Sequence, residues 1–195
     1  MPNAAMKDAT PETRLTAEER AKTVRLLRES EEAFLNAVES LDDAQWSYKP
    51  ASDHWSIGEI AEHLVLAEGF LFATVEQAVS QDPNPDWQST TAGKADFLER
   101  ILVDRTGKAV APKSTQPLAQ LDRTDVLKRY HDRRARTREF AEHTELPLKA
   151  VTIDHPFPIF GTLSGYQWLL YIPLHNLRHN QQIEEVKSSD GFPST

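Results

Sequence analysis

Residues 164–186 read SGYQWLLYIPLHNLRHNQQIEEV. Ser164 and Gln167 form a capping box, in which each side chain satisfies a free backbone N–H at the start of a helix. Trp168, Ile172, His175, His179, Gln182, Ile183 and Val186 then fall on one stripe of a helix with 3.6 residues per turn. Two imidazoles therefore sit on a stripe that also holds a tryptophan and two isoleucines. Burying two neighbouring polar rings without a partner costs several kcal/mol. A histidine pair four apart is common in helices, so the pair alone does not decide between metal binding and a hydrogen-bonded core. Pro173 lies two residues before His175 and removes one backbone bond. The helix either tolerates a bend there or uses it to aim the histidines.

Three more helices follow from the same reasoning. Thr16 and Glu19 make a capping box that opens a helix with Val24, Leu27, Phe34, Val38 and Leu41 on one face. Ser56 and Glu59 make another. Ile57, Ile60, Leu64, Ala67, Leu71 and Val75 line that helix to about Val79, and Asp82-Pro83-Asn84-Pro85 stops it. A further helix spans Thr124 to Thr144, with Leu127, Tyr130, Thr137, Phe140 and Ala141 inward. Trp46, Tyr48 and Trp55, in the connection 42–55, are expected to pack over the end of the core. Pro147, Pro156, Pro158 and Gly161 exclude a helix between Leu146 and Leu163. Val151 to Ile153 suits a brief strand with no obvious pair. Four amphipathic helices and almost no strand predict an all-α four-helix bundle.

The boundaries predict a flexible N-terminal tail over 1–15, one domain over 16–187 and a C-terminal tail over 188–195. Within 86–121, Ala95 to Val103 suits a short helix and Thr106 to Pro117 a loop. Such an excursion is either a lid or partner-binding element, or an ordered surface crossover.

Composition sets bounds on partners. The chain has 195 residues and a net charge of −8. Its densest basic run, Lys128 to Arg138, is interleaved by Asp132 and reads as a solvated helix face, so no nucleic-acid partner is expected. There is no cysteine, which excludes disulfides, thiolate ligands and a cysteine nucleophile. Neither a signal peptide nor a run of roughly 20 apolar residues is present, so no membrane is expected and the chain reads as cytoplasmic.

His63 lies on the edge of the stripe of 57–75, flanked by Ile60 and Ala67. Residues four apart on a helix lie about 6 Å apart along the axis, so His175 and His179 can converge on one ion, with His63 supplying the third ligand from a facing helix. Three neutral nitrogens leave a coordination position open. Gln182 is the candidate for orienting a ligand imidazole. His155, in the proline-rich loop, either reaches the open side of the site or is exposed. Glu59 is read as a cap, Glu62 as solvent-facing, and His54, His131 and His143 as surface residues.

The stretches WSIGEIAEHL, residues 55–64, and HNLRHNQQI, residues 175–183, resemble paired motifs of the DinB/YfiT-like metalloenzyme superfamily. Gln45-Trp46, Lys49-Pro50, His155-Pro156 and Gly161 also match that family's habits, and the resemblance covers most of 16–187. It implies an up-down-down-up bundle with a long crossover between helices 2 and 3. It also implies a divalent metal on His63, His175 and His179, and frequent homodimers. Family activities include thiol-dependent transfer and hydrolysis, and membership does not choose among them.

The expected function is thus a divalent-metal-dependent enzyme, hydrolase or thiol S-transferase. Its three-histidine site would activate a water or a low-molecular-weight thiol cosubstrate against a small-molecule substrate. Zinc or nickel suits the site, and iron or manganese is also compatible. The alternative is a non-catalytic metal-binding dimeric protein with a structural or stress-responsive role.

Overall fold

The computed structural model describes residues 9–106, 110–118 and 121–194. In chain order it forms α1 (Ala17–Val38), α2 (Asp43–Ser47), α3 (Ile57–Val79), α4 (Trp87–Thr91) and α5 (Lys94–Val103). A 3-10 turn at Lys113–Thr115 precedes α6 (Arg123–His143), β1 (Thr152–Asp154), β2 (Thr162–Ser164) and α7 (Gly165–Lys187). All three predicted capping boxes are present, and they place the starts of α1, α3 and α7. Asp122 caps α6 by accepting from the Asp125 N–H.

Side-chain pairings give the direction of each long helix. Arg20 donates to the carbonyls of Ala141 and Thr144, and Arg123 to those of Val38 and Leu41, so α1 and α6 are antiparallel. Both arginines thereby satisfy carbonyls at a helix end that lack intrahelical partners. Asn180 reaches the Ser30 carbonyl and Lys187 that of Ala37, so α1 and α7 run parallel. Glu68 meets Arg134 and, further along both helices, Phe72 meets Phe140, so α3 and α6 are parallel. The result is an all-α, up-down-down-up bundle in which α1 and α3 are diagonal. Because α3 and α6 point the same way, the chain must return along the bundle between them. Residues 80–122 make that crossover, and α5 packs on α7.

Two expectations change in the structure. The strand expected near 151–153 does have a pair: Thr152 faces Ser164 and Asp154 faces Thr162 in an antiparallel ribbon. The partner strand was hidden because its last residue, Ser164, is also the cap of α7. The basic run on α6 is not wholly solvated: Arg134 is 1% exposed and bonded to Glu68. The alternation of charges concealed one residue that faces inward.

Both predicted tails touch the bundle where they are described. Residues 1–8 lie outside the described residues. Leu15 is buried, and the Thr13 carbonyl accepts from the Lys149 N–H. At the other end Phe192 packs edge-on against Tyr48. Among the described residues no helix is long and apolar enough to cross a membrane.

The predicted aromatic cover over the bundle end is present, and Gly58 makes room for it. Trp46 lies flat against that turn of α3, with Arg123 over its ring at 5.0 Å. A Cβ at position 58 would sit 2.4 Å from Trp46 Nε1. The Gly58→Ala variant is therefore expected to lose about 1–3 kcal/mol through overpacking, despite alanine's better helix propensity. Urea melts showing equal or greater stability would contradict this placement of Trp46.

Candidate metal centre

His63 is in the second turn of α3, and His175 and His179 are one turn apart on α7. The antiparallel packing of α3 against α7 brings the three rings together. One nitrogen from each lies within 4.8 Å of the others. The Nε2 atoms of His175 and His179 are 3.2 Å apart. Two nitrogens bound tetrahedrally at 2.0–2.1 Å would be separated by about 3.3 Å, so this pair already spans one edge of such a site. His63 and His179 are buried, and His175 is partly open.

The other ring nitrogens determine which lone pairs face inward. His63 Nδ1–H donates to the Thr115 carbonyl at 2.7 Å, and His179 Nδ1–H donates to Gln182 Oε1 at 2.7 Å. Both acceptors are oxygens without a proton, so each imidazole holds its hydrogen on Nδ1 and turns the Nε2 lone pair to the cluster. Arg105 donates to the same Gln182 oxygen and pairs with Glu185 through two bonds. This arrangement fits a divalent ion by donor chemistry: three nitrogens, two of them held in the ligating tautomer by outer partners.

Burial pushes His63 below its ordinary basicity. His175 and His179 are held well below theirs by burial, by the neighbouring imidazoles and by nearby Arg178. All three are therefore free bases at neutral pH and available as ligands. Trp55 covers His63, with ring centroids 4.9 Å apart. Arg178 donates to the Asp104 carbonyl, which anchors the crossover beside the two histidines of α7.

The remaining sequence candidates are placed as follows. Gln182 is bonded to His179. His155 stacks on Trp168 at 4.8 Å and accepts from the Phe157 N–H, with Tyr171 between it and His175. It is partly buried, not exposed, and burial lowers its pKa to about 4. Glu59 is a cap as expected. Glu62, read as solvent-facing, is only 5% exposed. Its neighbour His63 already lay at the stripe's edge, where the Thr115 carbonyl of the crossover meets it. His54, His131 and His143 are exposed. Sequence reasoning missed Thr115, which contributes through its carbonyl and so leaves no side-chain signal. It also missed Arg105, whose role depends on where the crossover lands.

These lowered values predict acid sensitivity in the metal-free protein. The unfolded histidines take up protons near pH 6.5, whereas the folded ones refuse them until lower pH. Stability from this source is intact above about pH 6.5 and erodes as pH falls toward the folded pKa values. The melting temperature of chelator-treated protein should thus drop between pH 7 and 5. A flat profile across that range would mean that the histidines are not buried as free bases.

Two open grooves among the described residues are not lined by the triad. One, of about 670 Å³, runs past Ala33, Val103, Leu177 and Glu184. The other, of about 580 Å³, is lined by Phe72, Arg136 and Phe140.

Comparison with known proteins supplies independent findings. The family model described as the DinB superfamily matches residues 26–183. Uncharacterized protein YuaE of Bacillus subtilis (strain 168) is 27% identical over 154 residues, covering 78% of this chain and 89% of that protein. Among solved structures, YfiT from Bacillus subtilis aligns over 94% of each chain with a TM-score of 0.58 and 15% identity, which shows a shared fold. YfiT is described as a probable metal-dependent hydrolase with an unusual four-helix bundle topology.

Proposed function

This chain belongs to the DinB superfamily, and from that premise we propose that it is a metal-dependent hydrolase whose ion is held by His63, His175 and His179. The observation that carries the proposal is the convergence of their ring nitrogens, with Nδ1 of His63 and of His179 engaged elsewhere. The description of YfiT supports the same reading.

A divalent ion there would supply Lewis acidity, lowering the pKa of a water or of a thiol to near neutrality. The chain's own residues do the rest. Gln182 holds the Nδ1 proton of His179, and the Thr115 carbonyl holds that of His63, so neither ring turns away. Trp55 keeps water from one face of His63. His155 and Tyr171 form an aromatic wall leading to His175, the most open of the three. The chain contains no cysteine, so any sulfur nucleophile must arrive as a cosubstrate such as glutathione, bacillithiol or mycothiol.

The test is turnover of a panel of activated esters and amides by metal-free protein and by protein reloaded with zinc, nickel, manganese or iron. Hydrolysis that requires the ion and no thiol supports the proposal. Consumption of a thiol with an electrophile would move the assignment to thiol transfer. Turnover unaffected by chelation would overturn both.

A second reading rests on the burial of the triad, in which His63 and His179 are buried and only His175 is partly open. A closed site suits a structural ion, which couples tightly to folding. Chelation would then lower the melting temperature steeply, whereas a catalytic ion in a preformed bundle would cost activity with a modest thermal shift.

A further inference from the structure

A continuous buried polar layer lies beside the three histidines, and nothing above gives it a role in the site. Arg134 of α6 donates to Glu68 of α3, to the Leu27 carbonyl and Ser30 hydroxyl of α1, and to Asn176 Oδ1 of α7. The Tyr130 hydroxyl donates to the same Asn176 oxygen at 2.6 Å. Asn176 Nδ2 donates to Asn180 Oδ1 at 2.9 Å, and Asn180 Nδ2 donates to the Ser30 carbonyl at 3.0 Å. All of these side chains are at least nine-tenths buried.

Asn176 and Asn180 each directly follow one of the α7 histidines. The helix thus carries two pairs at four-residue spacing, and the pairs are offset by one residue, or about 100° around the axis. The asparagine pair faces α1 and α6, and the histidine pair faces α3. Apolar stripes interdigitate in several neighbouring rotations and tolerate repacking. Directional bonds to a guanidinium, a phenol and a main-chain carbonyl admit a narrow range. A rotation of α7 that swung either histidine away from His63 would break bonds to both α1 and α6 among buried side chains, where unmade bonds are costly.

We propose that Asn176 and Asn180, held by Arg134, Tyr130 and Ser30, are positioning residues that set the rotation and axial register of α7, and so the convergence of His175 and His179 on His63. The ligand assignment in this proposal rests on the metal reading above; the placement of the rings does not.

The test uses Asn180→Leu, which keeps the branching at Cγ and removes the bond to α1, and Asn176→Asp, which keeps the acceptor and removes the donor to Asn180. Ile183→Ala, a core truncation on the same helix, is the control for general destabilisation. Long-range nitrogen–proton NMR of the metal-free proteins reads the imidazole tautomers, and cobalt(II) titration reads ligand geometry and affinity. Either asparagine variant should lose the single Nδ1–H tautomer of His179, bind cobalt on the order of tenfold more weakly and change its visible spectrum. Ile183→Ala should do none of these at an equal drop in melting temperature. Asparagine variants that match the control in both readouts overturn the proposal. If Asn180→Leu does not melt cooperatively, Asn176→Asp decides. If the wild-type protein takes up no cobalt, the metal reading falls, and the ring spectra alone decide whether the asparagines position the histidines.

Discussion

Replacing His179 with alanine is expected to abolish stoichiometric binding of a divalent ion while leaving a folded bundle. His179 is at the centre of the cluster. Its Nε2 faces that of His175 at 3.2 Å, and its ring lies 4.6 Å from that of His63. Loss of an outer partner typically weakens a metal site by 10–100-fold, and removal of a ligand should exceed that. The fold should survive because the helices meet elsewhere through two apolar clusters, with Leu27, Trp168 and Leu169 in one and Phe34, Ile57 and Ile60 in the other. Elemental analysis of untagged wild-type and variant protein gives the result. About one ion per chain in the wild type and none in the variant would support the three-histidine site. An unchanged metal content would place the ion elsewhere. No ion in the wild type after incubation with zinc, nickel and manganese would leave the histidines as hydrogen-bonded core.

The Arg134→Ala variant should have the largest effect on stability. Arg134 and Glu68 are 1% and 4% exposed, and their atoms come within 2.9 Å. Removing the guanidinium strands a carboxylate whose remaining bond is to the Thr137 hydroxyl. It also strips Asn176 of one of its two donors. Breaking a buried pair from one side costs on the order of 3–5 kcal/mol, because the surviving charge is left desolvated. Replacing both partners with apolar residues of similar size, Arg134→Met with Glu68→Leu, should recover much of that loss. Urea denaturation of the three proteins tests this. If the double variant is as unstable as the single one, the stranded charge is not the cause of the loss.

The two strongest readings from sequence concern local rules. Capping boxes at Thr16, Ser56 and Ser164 announce helix starts because the bonds involved close within one turn. The stripe containing His175 and His179 likewise reflects helical period alone, and both rings do face the interior. Glu62 and Arg134 escaped the same reasoning. Each is charged, and its burial depends on what another segment places over it. Glu62 is only 5% exposed, and Glu68 from α3 receives Arg134.

By itself, the sequence determined the four long helices, the starts of the three with capping boxes and which faces carry imidazoles, since these depend on contacts within about four residues along the chain; it did not reveal the short helices α2 and α4. It also excluded cysteine ligands and a cysteine nucleophile, through the lack of cysteine. The tertiary structure decided which helices are neighbours and in which direction they run. It decided that the Thr115 carbonyl holds the ring proton of His63, and that Arg134 knits four helices through one guanidinium. Those are long-range pairings. A carbonyl offers the same acceptor whatever its side chain, and a charged residue looks alike in sequence whether it meets water or a buried partner.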